Sequence, residues 1–118
     1  ETERWNLMHP VKKQKKSHLE TSLSKNSVPT VAVSDYVKMV SEQIGPYVPG
    51  PYYALGTDGF GRSETRDALR RFFEVDRYYI VLTAIRALAN ENKIEMGVVE
   101  KVMDKYHLDP EKPNPINV

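Results

Sequence analysis

Apolar positions along the chain alternate between short solid runs and helical stripes. Val28 to Val33 is β-branched and apolar on both faces, the pattern of a strand inside a covered sheet. Ser34 then offers a helix N-cap, and Val37, Val40 and Ile44 follow at i, i+3 and i+7, on one helical face. Gly45-Pro46 stops that helix, and Val48-Pro-Gly-Pro51 makes a stiff turn into a second apolar run, Tyr52 to Gly56. Strand, helix and strand in this order predict a parallel pair joined by a right-handed crossover.

Beyond the second run the pattern becomes helical. Gly56, Gly59 and Gly61 let the backbone turn sharply, and Ser63 is placed to cap a helix from Ser63 to Phe73. Asp76 caps the next helix, where Ile80, Ala84, Ala87 and Leu88 share a face and Val81 and Ile85 widen it. Asn90-Glu-Asn92 breaks that helix. A last one is predicted from about Glu95 to Tyr106, with Val99, Val102, Met103 and Tyr106 inward. The tail Leu108 to Pro115 carries three prolines and is not expected to be helical.

The first residues are less regular. Residues 1 to 9 read as a helix end stopped by Pro10, with Trp5 and Leu7 or Met8 as its buried contacts and His9 as a hydrogen-bonding terminus. Residues 11 to 27 are polar and basic, a solvated loop with a short turn near His18 to Leu23. Two strands alone are marginal in water. The pattern therefore asks for further strands, expected upstream of Glu1, which reads as a cut point.

Composition narrows the chemistry. The chain has 118 residues, enough for one domain or part of one, and a formal charge of +1, which argues against a general nucleic-acid surface. It has no cysteine, so a disulfide framework and a thiolate site are excluded. No apolar run approaches a membrane span and no leader is visible, so a cytoplasmic protein is expected. His9, His18 and His107 lack ligand spacing, and no Ser-His-Asp or paired-carboxylate constellation stands out.

Leu55-Gly-Thr-Asp-Gly-Phe-Gly-Arg-Ser63, followed by Leu69-Arg-Arg-Phe-Phe-Glu-Val-Asp76, resembles the C-terminal part of the homodimeric, bacterial-type pyruvate dehydrogenases of the transketolase-like superfamily. Glu3-Arg-Trp-Asn6 with His9-Pro10, Val31 to Lys38, Glu42 to Pro49, Tyr79 to Leu88 and Asp109 to Pro115 resemble it as well. The resemblance implies an α/β fold: the later half of a transketolase C-terminal-type domain, a mostly parallel sheet flanked by helices, with its upstream strands missing from this chain. It makes residues 1–118 one partial domain, with a helix end and basic loop over 1–27 and the strand-helix-strand, helices and tail over 28–118. It further implies a parent enzyme that decarboxylates pyruvate on thiamine diphosphate with Mg²⁺. The parent then passes the two-carbon unit to the lipoyl group of the dihydrolipoyl acetyltransferase component. This chain would supply scaffold and interface to a second subunit, with no catalytic, cofactor or metal residue of its own.

The residues leave other chemistry to weigh. The glycine turn is placed to face an anion with backbone amides, with Thr57, Arg62 and Ser63 nearby, or it serves conformation alone. Arg62, Arg66 and Arg70 recur at i, i+4 spacing, as a dock for an acidic partner or as a solvated face paired locally, for example Asp67 or Glu74 with Arg71. A free-standing anion-binding module is the alternative function. Asp58-Gly59 with Asn90 or Asn92 faintly matches the Gly-Asp-Gly motif of thiamine diphosphate sites, but Thr57 stands where a glycine belongs and the reading is rejected. Lys12, Lys13, Lys15 and Lys16 lack the interleaved aromatics of a nucleic-acid surface.

Overall fold

The computed structural model describes residues 1–23 and 28–118. The two apolar runs form the expected parallel pair: β1 (Thr30–Val33) lies beside β2 (Tyr52–Leu55), with Thr30 opposite Tyr52 and Val33 opposite Leu55. Both strands are shorter than their apolar runs. Between them α3 (Lys38–Glu42) and a 3₁₀ turn at Gly45–Tyr47 make the crossover. Before them lie α1 (Thr2–Met8) and α2 (His18–Leu23). After them come α4 (Arg66–Phe72), α5 (Arg77–Asn90), α6 (Met96–Lys105) and a terminal 3₁₀ turn at Pro115–Asn117. Any reading of residues 24 to 27 lies outside the described residues.

Helix starts follow local chemistry, though not always at the expected residue. Ser34 does not cap α3. Its hydroxyl accepts from Tyr36 N at 3.0 Å, and the residue before α3 is Val37. The free Lys38 amide is taken instead by the Asp58 carboxylate, 2.9 Å away and 20 residues downstream. Ser63 caps nothing either. α4 begins three residues later, behind Thr65, whose hydroxyl accepts from Ala68 N at 3.3 Å. Asp76 caps α5 as the sequence indicates, accepting from Tyr78 N and Tyr79 N at 3.1 and 3.0 Å. At α2, Ser17 and Glu20 form a reciprocal capping box that the sequence reading did not name: Ser17 N donates to Glu20 Oε2 at 2.6 Å and Glu20 N to Ser17 Oγ at 3.2 Å.

The glycine turn is fixed by close approach. A Cβ on Gly56 would stand 2.6 Å from both Lys38 N and Tyr36 O. Gly59 has φ +122, and a Cβ there would stand 2.6 Å from Pro115 O. The turn is therefore held between α3 and the C-terminal tail. Lys112 reinforces the tail, donating to Phe72 O at 2.8 Å and to Glu74 Oε1 at 2.9 Å.

The core is small. Val48, Val75, Ala87, Ala89, Val99 and Leu108 are buried, and no large side chain among the described residues is fully enclosed. A folded chain of this mass exposes about 6,500 Å²; this one exposes 8812 Å². Its radius of gyration is 17.5 Å, against about 13.5 Å for a compact domain of its length. The helix is shorter than the sequence indicates: of the predicted Val37, Val40 and Ile44 face only Val40 lies within α3, and the three residues are 47%, 51% and 47% exposed, with nothing in the described chain covering them. The expectation for Leu7 and Met8 also fails, because both are exposed on α1. Trp5 is half-buried by its own neighbours, stacked on the His9 ring at 4.2 Å with the Lys15 ammonium 4.0 Å from the Trp5 ring centroid. His9 does serve the helix end, its Nδ1 lying 2.8 Å from Trp5 O.

Candidate functional site

The five residues proposed from sequence are not brought together. Thr57 is spent on closing the crossover: its hydroxyl donates to Asp35 O at 2.8 Å and its amide to Tyr36 O at 2.9 Å. Arg62 precedes α4 and lies over the Phe72 ring, 4.2 Å from its centroid, a cation–π contact. Ser63 and Arg66 are exposed. Only Arg70 reaches a concave surface, 3.6 Å from the Asp35 carboxylate. The i, i+4 arginine row is thus shortened to Arg66 and Arg70, because Arg62 lies outside the helix.

The concave surface is a cleft of about 950 Å³ at the carboxyl end of β1. Its walls come from the residues following β1, from α4, from the start of α5 and from the end of α6. Val33, Val75, Ile80 and the Tyr78 and Tyr106 rings give it an apolar floor; the two rings are 4.8 Å apart.

The residue that builds this cleft is Arg71, for which the sequence suggested Asp67 or Glu74 as partner. It pairs with Asp76 instead, at 3.5 Å. Its other guanidinium nitrogen donates to Tyr106 O at 3.1 Å and His107 O at 3.3 Å, satisfying carbonyls left open at the end of α6. One side chain therefore ties α4, α5 and α6 together. The sequence signal was present, an arginine in the last turn of α4, but nothing in it named a partner 35 residues away. Glu74, at φ +61, pairs with Lys112.

Arg77 also lines the cleft. Its Nη2 donates to the Tyr78 hydroxyl at 2.7 Å, and that bond holds the guanidinium pKa above its ordinary value. On the far wall of α5, burial raises the Tyr79 phenol, with Glu74 adding to the effect. Among the described residues no group of three His, Cys, Asp or Glu side chains converges to hold a metal. No helix among them is long and apolar enough to cross a membrane.

The residues of the faint Gly-Asp-Gly match do not fit a metal-diphosphate group. Asp58 is engaged with the Lys38 amide. Asn90 donates to the Tyr53 hydroxyl and accepts from Arg86 Nε, both at 3.2 Å, so its amide is also engaged.

The profile of the transketolase-like TK C-terminal domain family matches residues 5–76. The chain belongs to that family. A pyruvate dehydrogenase E1 component of Cupriavidus necator is 51% identical to it over 118 residues, 100% of this chain. Those of Pseudomonas aeruginosa and Escherichia coli K12 are 50% and 42% identical over 98% and 96% of it. The chain spans 13% of the length of each of these relatives. Within the transketolase-like C-terminal family, the β1–α3–β2 unit and the glycine turn fall inside the matched stretch, while α5, α6 and the tail follow it.

Proposed function

We propose that this chain is the C-terminal portion of a pyruvate dehydrogenase E1 component and that it acts there as scaffold and interface. The observation that carries the reading is likeness at 51% identity running through all 118 residues. In the parent enzyme pyruvate is decarboxylated on thiamine diphosphate with Mg²⁺ and the acetyl unit passes to the lipoyl group of the acetyltransferase component. Localisation is cytoplasmic and the working unit is a homodimer. Thiamine diphosphate supplies the carbanion chemistry when bound elsewhere in the parent, and no step is assigned to residues of this chain. The comparisons give no support to a free-standing anion-binding module.

The surface of the chain supports a scaffold role. It exposes roughly 2,300 Å² more than its mass warrants, the scale of an obligate interface. Five of the exposed apolar side chains fall on α3 (Met39, Val40) and its flanks (Tyr36, Val37, Ile44), and others lie on α1 and in the tail. Upstream parts of the parent and its second subunit are the occupants this reading assigns to such surfaces.

The test is a chimera in which this chain replaces the matching segment of the Cupriavidus necator relative. The expected result is a dimer with thiamine-dependent pyruvate decarboxylation close to that of the unmodified relative. A folded, cofactor-binding chimera without turnover overturns the reading, as does turnover by the isolated chain.

A further inference from the structure

We infer that the cleft at the carboxyl end of β1 is a binding site for a small organic anion carrying at least two negative charges on an apolar or aromatic body. The inference does not rest on the proposed function. In open α/β folds the carboxyl ends of parallel strands are where ligand crevices form, and a volume of about 950 Å³ is of the size that holds a metabolite.

Charge and donor supply set the ligand class. Arg70, Arg77 and Lys105 line the cleft; Lys105 Nζ lies 5.7 Å from the Tyr106 ring centroid and the Arg77 guanidinium 4.8 Å from that of Tyr78, contacts that leave hydrogen-bond donors over. Arg70 meets Asp35 only at 3.6 Å, beyond hydrogen-bond range, and both side chains are open to solvent at 41% and 71%. Arg77 gives one bond to Tyr78 and keeps the rest of its fork. Arg71, by contrast, is committed to Asp76 and the end of α6. Two guanidiniums and an ammonium around one space match a phosphate better than a single carboxylate, since the fork geometry pairs oxygens two at a time. The apolar floor of Val33, Val75, Ile80 and the tyrosine rings adds the preference for a carbon body.

Three carboxylates share the walls. Asp76 is already engaged, by the first amides of α5 and by Arg71. Asp67 lies near Arg77 and contributes to its raised pKa. Asp35 competes directly with a ligand for Arg70. That competition yields a signature that a purely structural pair would not give: removing the Asp35 charge should tighten binding.

The experiment titrates the ¹⁵N-labelled chain with phenyl phosphate, with inorganic phosphate and phenol as partial probes, at fixed ionic strength. Saturable amide shifts are expected at residues 33 to 35, 75 to 78 and 105 to 107. Phenyl phosphate should bind about tenfold tighter than either partial probe. Arg70→Ala with Arg77→Ala should weaken it by about tenfold or more, and Asp35→Asn should tighten it by about two- to fivefold. Lys101→Ala, outside the cleft, should change nothing. Where the double variant loses its native spectrum, Arg70→Gln and Asp35→Asn singly decide. Shifts spread over the Lys12 to Lys16 loop, equal affinity for the partial probes, or no opposite effect of the Arg70 and Asp35 changes would overturn the site.

Discussion

The two ends of the chain are held by different means. From α4 onward, elements are cross-tied: Arg71 joins three helices, Lys112 fastens the tail to α4 and Glu74, and Asp76 caps α5 twice. Five of the six buried apolar residues, Val75 through Leu108, lie in this half. The half before it contains the sheet, yet among its described residues Val48 is the one buried apolar side chain, and Val37, Val40 and Ile44 on and beside α3 are open. A parallel pair gains its stability from helices covering both faces; here α5 packs on both strands as well as on α6, while the apolar residues on and around α3 stay open. The first half leaves apolar side chains around α3 open, whereas the second buries more of what it carries and ties its elements to one another.

The sharpest way to break this contrast is at the joint between the halves. Gly59→Ala places a side chain at φ +122 and against Pro115 O. It should cost about 2–4 kcal/mol, detaching tail from turn. Gly61→Ala, with nothing within 4 Å, should change stability negligibly in the same urea melts. Comparable losses at both glycines would mean the tail does not clamp the turn.

A smaller effect is expected within the second half. Arg71→Met should cost about 1–3 kcal/mol by leaving the α6 carbonyls and Asp76 short of a partner. Amide exchange should then accelerate at the end of α6 more than in β1 and β2. Uniform acceleration would show that the tie is not local.

Matched truncations compare the halves directly. Val99→Ala, at a 5% exposed site, should destabilise the isolated chain by about 1–2 kcal/mol. Val40→Ala, at 51% exposure, should be almost silent there. In the chimera with the Cupriavidus necator relative, Val40→Ala should become destabilising, since the stripe is then covered. Silence in both settings would remove the interface argument for α3.

The smallest effect concerns pH. Hydrogen bonds from the Ser17 backbone and side chain lower the Glu20 pKa below the ordinary carboxylate value. A lowered pKa means the capping box supports α2 above that value and is lost as pH falls through the depressed one. Helical carbon shifts of residues 18 to 23 should fade in that acid window while those of α5 persist. Retention of α2 in Glu20→Gln at low pH and at neutral pH alike would show that charge is not involved.

The strands, the α5 cap at Asp76, the break after Asn90 and the inward face of α6 were all legible in the sequence, because each is set by residues within one turn of one another. The period of apolar residues and the reach of a capping carboxylate are local quantities. The family resemblance was legible for the same reason, since it rests on contiguous motifs around the glycine turn.

What the tertiary structure alone decided are the long-range partners. Asp58 rather than Ser34 serves α3, Thr65 rather than Ser63 starts α4, and Arg71 reaches Asp76 and the end of α6 rather than Asp67. Ser63 and Ser34 are acceptable caps by type, but a cap works only where the chain direction presents its oxygen to a free amide. That direction is set by packing of the turn against α3 and the tail. The cleft is likewise a tertiary object: its donors come from α4, α5 and α6, and no spacing in the sequence places Arg70, Arg77 and Lys105 around one space. Local patterns choose the elements, whereas the assembled backbone chooses which charged side chains meet, because those contacts span tens of residues and depend on where whole helices come to rest.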